Sequence, residues 1–126
     1  MRVAFFIVLI GLLAACESQP MDVSALPEGD AERGAALFSE SINGAPTCSS
    51  CHALTDERMT GPGLAGYSER AASQVEGESA EEYTYQSIVR PSAHLVEGYG
   101  NLMYAEYRSR LSEQQVADLM AYLLTQ

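Results

Sequence analysis

CSSCH, residues 48–52, is the stretch on which the reading of this chain turns. Two thiols three positions apart share one face of a helical turn, and an imidazole follows the second directly. Three chemistries use such a set: a covalently attached haem, a structural zinc ion, and a disulfide, redox-active or structural. The surrounding sequence separates them. A structural zinc takes four protein ligands, typically from two pairs, and outside the motif the chain has only Cys16 and His94 to add. A redox disulfide of the thioredoxin type sits at a strand-to-helix junction in a βαβ unit, yet no segment shows the sustained period-two alternation of such strands. A structural disulfide gives His52 no reason to follow Cys51. Covalent haem accounts for every position: each thiol can bond one vinyl group as a thioether, and the adjacent imidazole can bind the iron. Zinc and a disulfide remain the alternatives.

The N-terminus agrees with chemistry performed outside the cytoplasm. Met1 and Arg2 give a positive start, residues 3–15 are apolar, and Leu13-Ala14-Ala15-Cys16 closes the run. That order fits a secretory signal. The apolar run is too short to span a hydrocarbon core, which needs about 20 helical residues. Leu-Ala-Ala-Cys resembles the bacterial lipobox, which implies a signal peptide over residues 1–15, lipidation of Cys16 and a membrane anchor without a membrane span. Residues 16–29, with Pro20, Pro27 and few large apolar side chains, are expected to be a flexible tether, and residues 30–126 a single domain.

The chain has 126 residues and a net charge of -10, with seven basic residues that are all arginine. Phosphate binding needs a basic stripe, so nucleic acid is not an expected partner. Cleavage before Cys16 removes only Arg2 among the charged residues, so the acidic character belongs to the domain. Charged docking is therefore expected with a basic partner.

Helical periodicity begins at Asp30, a candidate cap, followed by Ala31, Gly34, Ala35 and Phe38 on one apolar face. This helix is expected to end within residues 41–44. Thr60-Gly61-Pro62-Gly63-Leu64-Ala65-Gly66 is a run of turn residues. Ser79 and Glu82 form a capping box for a helix that must stop before Pro91. Residues 91–110 have no clear period and read as a structured loop. Ser112 and Gln115 form a second capping box, Leu111 and Val116 a hydrophobic staple, and Val116, Leu119, Met120 and Leu123 the apolar stripe of a last helix to about Leu124.

On these motifs, residues 29–124 resemble a bacterial class I (monohaem) cytochrome c, in a lipoprotein form. Gly34 and Phe38 match the family's small and aromatic pair in the first helix, and Leu119 and Tyr122 the residues that cross it in the last. Glycine at that crossing permits close approach. Gly61-Pro62-Gly63-Leu64 is similar to the family's Gly-Pro-x-Leu, whose proline carbonyl accepts the ring N–H of the proximal histidine. The resemblance implies an all-α cytochrome c fold, about four helices around one covalently attached haem c, with crossed N- and C-terminal helices. It implies Cys48 and Cys51 as the thioether residues, His52 as proximal iron ligand and Pro62 as the group that orients it. Met103, in Gly98-Tyr99-Gly100-Asn101-Leu102-Met103, lies where the family's distal methionine resides. Proline commonly follows that methionine, whereas Tyr104 stands here. His94 is the alternative distal ligand. Met59 is too near His52 to reach the opposite face, and Met120 lies on the apolar stripe of the last helix. Tyr67 and Tyr99 are candidate hydrogen-bond donors to the haem propionates.

The function the resemblance implies is single-electron transfer by a non-catalytic protein, anchored on the extracytoplasmic side of a membrane. Many soluble carriers of the family dock through lysine rings, and this chain has no lysine. The expected setting is therefore a subunit of a respiratory or photosynthetic complex, such as an alternative complex III or oxidase assembly. A free tethered carrier and a haem-based gas or redox sensor are the other readings.

Overall fold

The computed structural model describes residues 22–126, so Cys16 and the expected signal peptide lie outside the described residues. Among the described residues five α-helices follow one another: α1 (Ala31–Phe38), α2 (Tyr67–Ala71), α3 (Ala80–Val89), α4 (Tyr107–Arg110) and α5 (Glu113–Leu123), with 3-10 turns at Val23–Ala25 and Cys48–Ser50. No strand occurs among the described residues. The all-helical class is as expected, and the helix count exceeds the expected four because α2 and α4 are short. Four or five residues give no visible period, and α4 falls within the stretch read as a loop.

The capped helices follow their sequence signals. Asp30 accepts the Arg33 N–H at 2.9 Å. Ser79 and Glu82 exchange side-chain and backbone bonds at the start of α3, and Ser112 and Gln115 do so at the start of α5. Each box satisfies two backbone N–H groups that a helix start would leave unpaired. Helix α1 ends at Phe38, earlier than its pattern suggests. Ser39 N–H bonds Ala36 O at 3.1 Å, Ser41 Oγ donates to Ala45 O at 2.7 Å, and Asn43 and Gly44 turn into left-handed backbone, φ 51° and 80°. Serine and asparagine here bond the backbone in ways that compete with the helix.

Helices α1 and α5 make the most extensive packing contact in the domain. A Cβ on Gly34 would stand 2.0 Å from Asp118 O and 2.7 Å from Tyr122 Cβ, so only glycine allows this approach. One turn on, Phe38 meets the Tyr122 ring edge-on at 5.7 Å between centroids. Leu119, Val116 and Met120 carry α5 into a core shared with Phe38, Ile88, Val89 and Tyr107. Such edge-to-face pairs add to the burial of both rings.

Residues 22–29, expected to belong to a flexible tether, instead pack on the domain. Asp22 caps the Val23–Ala25 turn, Val23 and Leu26 lie against the core, and Gln114 Nε2 donates to Glu28 O at 2.9 Å. Two isolated apolar residues between prolines gave no periodic signal, and their partners lie far along the chain.

A buried carboxylate ties this junction together. Asp118, 2% exposed, accepts from Arg33 Nε and Nη2, from Gln114 Nε2 and from the Asp30 N–H, at 2.8 to 2.9 Å. The Arg33 hydrogen bonds lead in drawing its carboxyl down from 3.8 to about 2, against the opposing effect of burial. A carboxyl lowered in the fold stabilises it fully above the unfolded value and loses that contribution as pH falls through the folded one. The Arg33 side chain is 55% exposed, so solvent screening reduces the gain to about 1–2 kcal/mol. Asp118→Asn is therefore expected to be less stable than the native protein at neutral pH, with the gap closing between about pH 4 and about pH 2. Urea unfolding across that range measures it, and a pH-independent gap would refute the assignment.

Candidate functional site

The CSSCH segment enters a single 3-10 turn. Thr47 caps it, accepting the Ser50 N–H at 3.2 Å, while Cys51 and His52 N–H both bond Cys48 O, at 3.1 and 3.0 Å. In a 3-10 turn, residues three apart eclipse one another. Cys48 and Cys51 accordingly line the same cavity, with His52 beside them. The two are not joined in a disulfide. Burial pushes the Cys48 thiol up to about 11, so it stays protonated and uncharged in neutral solution.

His52 is oriented from behind. Its Nδ1 lies 2.9 Å from Pro62 O, and a carbonyl only accepts, so Nδ1 carries a proton, which in the neutral ring leaves the lone pair on Nε2. The loop that supplies Pro62 is stitched to the CSSCH segment by Gly61 N–H to Cys51 O and Leu64 N–H to Ala53 O, both 2.9 Å. Gly61 lies directly on the imidazole: a Cβ there would be 2.4 Å from His52 Cε1. Glycine is thus required by the ring it touches, beyond the turn it makes.

The cavity measures about 350 Å³ and is lined mainly by apolar side chains, within the range of pockets that enclose small organic ligands. Met103 lines it from the segment before α4, half-buried, whereas Met59 and Met120 do not. Met59 is exposed and Met120 is in the core. His94 also lines the cavity and is exposed, its ring edge-on to Tyr83 at 5.6 Å. Sequence distance alone left these two in competition, and the structure places both on the cavity wall. Among the described residues, no three His, Cys, Asp or Glu side chains gather as they would around a metal ion held by the protein alone.

The tyrosines divide by partner. Tyr67 donates to Thr84 Oγ1 at 2.9 Å, and Thr84 in turn donates to Ala80 O at 2.6 Å. The Tyr67 phenol, raised to about 12 chiefly by burial, thus has a partner within the protein. Tyr99 lines the cavity with the Arg58 guanidinium 4.1 Å from its ring centroid, a cation–π contact reinforced by an Arg58 hydrogen bond to Gly98 O. Arg58 gave no signal in the sequence because its partners lie 40 residues on.

Tyr107 is the residue that sequence reasoning undervalued. It is 6% exposed, donates to Pro46 O at 2.8 Å, and stacks edge-on against Tyr104 at 5.1 Å. Burial leads in raising its phenol, with both cysteine thiols contributing. It therefore joins the segment carrying Met103 to the one carrying Cys48. Tyr104, standing where proline is common in the resembled family, is held by this stacking and by a 3.1 Å hydrogen bond to Glu106.

The family model described as Cytochrome c matches residues 31–126. No curated protein matches the chain.

Gly61→Ala is expected to push the His52 ring off the Pro62 carbonyl. Loss of a hydrogen bond worth about 1 kcal/mol or more should speed exchange of the Nδ1 proton about tenfold, read by nuclear magnetic resonance. Gly100→Ala, where the nearest atom would be Leu102 Cγ at 3.7 Å, should leave that proton unchanged.

Proposed function

The chain belongs to the cytochrome c family, and from that premise we propose that it holds one haem c on Cys48, Cys51 and His52 and passes single electrons in a membrane electron-transport chain. Family membership makes it an electron-transfer haem protein. The observation that carries the residue assignment is the common cavity lined by Cys48, Cys51, His52 and Met103.

The residues present fit the group. Cys48 and Cys51 would hold it as thioethers, and a thioether carries no charge, which suits a site where burial already keeps the Cys48 thiol neutral. The Nε2 of His52 and the Met103 sulfur would bind the iron. Haem, when bound, supplies an iron that takes up and gives back one electron. The Pro62 carbonyl fixes the His52 tautomer and makes its imidazole a better donor. A thioether ligand opposite raises the reduction potential relative to a second imidazole. The apolar wall, closed by Phe38, Ile88 and Leu119, keeps water from the group and lowers the local dielectric. With His52 and Met103 both bound to it, the iron would offer no position to a substrate. That favours transfer over a gas sensor, which needs a vacant or displaceable position.

The setting we favour is a non-catalytic subunit of a membrane complex, exported and held by lipid on Cys16. The absence of lysine supports it, because the domain cannot present the lysine ring through which many soluble carriers dock. An acidic surface suits a basic partner.

A reduced-minus-oxidised spectrum of purified protein, with haem retained through acid-acetone extraction, tests covalent attachment. Met103→Ala should abolish the weak far-red charge-transfer band of the oxidised protein and make the ferrous form bind carbon monoxide. His94→Ala should leave both properties as in the native protein, and the reverse pattern would transfer the ligand to His94. Across several mild detergent strengths the protein should co-purify with other redox subunits. Recovery only as a free monomer would remove the subunit reading.

A further inference from the structure

The segment preceding α1 is fastened to the domain along its length. The Ser24 N–H bonds Asp22 Oδ1 at 3.0 Å, closing the first turn. Val23 and Leu26 lie against the core, and Gln114 Nε2 holds Glu28 O at 2.9 Å. Gly29 is pressed on α5 so closely that a Cβ would be 2.2 Å from Ala117 O. The Asp30 N–H then reaches the buried Asp118 at 2.8 Å. These ties to the domain run from Val23 to Asp30.

This changes the reach of an anchor on Cys16. Fully extended chain spans at most about 3.6 Å per residue, so fourteen residues to Asp30 would reach about 50 Å, whereas six residues to Asp22 reach about 20 Å. A domain of this size has a radius of gyration of about 13 Å, hence a diameter of about 33 Å. The longer link would let the domain rise clear of its neighbours and sweep the space above them. The shorter one is less than the domain's own width. Adhesion does not replace it, because a domain this acidic is repelled by anionic lipid within a Debye length of about 8 Å.

We infer that docking of residues 22–30 limits the leash to a lipid on Cys16 to about 20 Å at full extension, so that the electron partner is a membrane-bound protein lying beside this domain rather than one reached by swinging. The inference rests on lipidation of Cys16 as proposed above. It also explains what the fastening accomplishes, since none of these contacts lines the cavity.

The full-length lipidated holoprotein, placed in vesicles of phosphatidylcholine and phosphatidylglycerol, tests it. A fourteen-residue Gly-Ser insertion between Met21 and Asp22 lengthens the leash without touching the folded domain. Two probes read the result: a headgroup-labelled fluorescent lipid that haem quenches, and a ferrocenium-labelled lipid that takes one electron from the reduced protein and becomes ferrocene. Effective concentration falls roughly as the -3/2 power of linker length, so the insertion should slow oxidation by the lipid probe about sixfold. Lipid quenching should at least halve, while oxidation by a soluble ferrocenium salt stays unchanged. Unaltered quenching and an unaltered lipid-probe rate would overturn the inference. Cys16→Ser should release the protein from the vesicles. If it stays bound, or if the mature protein carries no lipid by mass, the anchor itself fails and the inference falls with it.

Discussion

The contact between α1 and α5 at Gly34 is the constraint from which the rest of the domain follows. Backbone meets backbone there because one residue has no side chain, and Asp118 on the same stretch of α5 gathers Arg33, Gln114 and the Asp30 N–H. The carboxylate is buried with its hydrogen-bonding capacity filled, the condition under which a buried charge holds structure instead of costing it. Once the two helices are locked, Phe38 and Leu119 are fixed as one wall of the cavity. A domain of about 100 residues is of ordinary size for a single core, and the interior of this one holds a cavity of about 350 Å³ lined mainly by apolar side chains.

The two sides of the cavity are built by different means. On the His52 side the chain is short-range and tight: a capped turn, backbone bonds to the next loop, and a glycine against the ring. On the Met103 side the chain is irregular, and long-range aromatic and cationic contacts hold it. Tyr107 reaches back to Pro46, and Arg58 reaches forward to Gly98 and Tyr99. Both ties join the two sides to each other. The separation between His52 and Met103 is therefore set by these cross-links as much as by the helices.

This division explains what could be read in advance. The helix starts, the paired thiols, the orienting proline and the glycine at the helix contact are local patterns, each with a fixed spacing and a physical cause, and the sequence displays them directly. The Met103 segment offered position without geometry. Tyr67, Tyr99, Tyr104 and Tyr107 are equivalent as letters, and only folding shows that one bonds Thr84, one takes a cation, one a carboxylate and one a carbonyl. The docking of residues 22–29 was hidden for the same reason: its partners on α5 lie some 86 residues away.

That separation also orders events as the chain folds. Arg33 and Asp118 are 85 residues apart, and closing a loop of that length costs about 4 kcal/mol in chain entropy before any contact offsets it. A chain emerging N-terminus first presents Cys48 and Cys51 well before Asp118 arrives. Until the C-terminal helix docks, the thiols sit in a segment with one wall of its cavity missing. The buried carboxylate thus acts as a latch, one that can close on α1 only once the C-terminal helix is present.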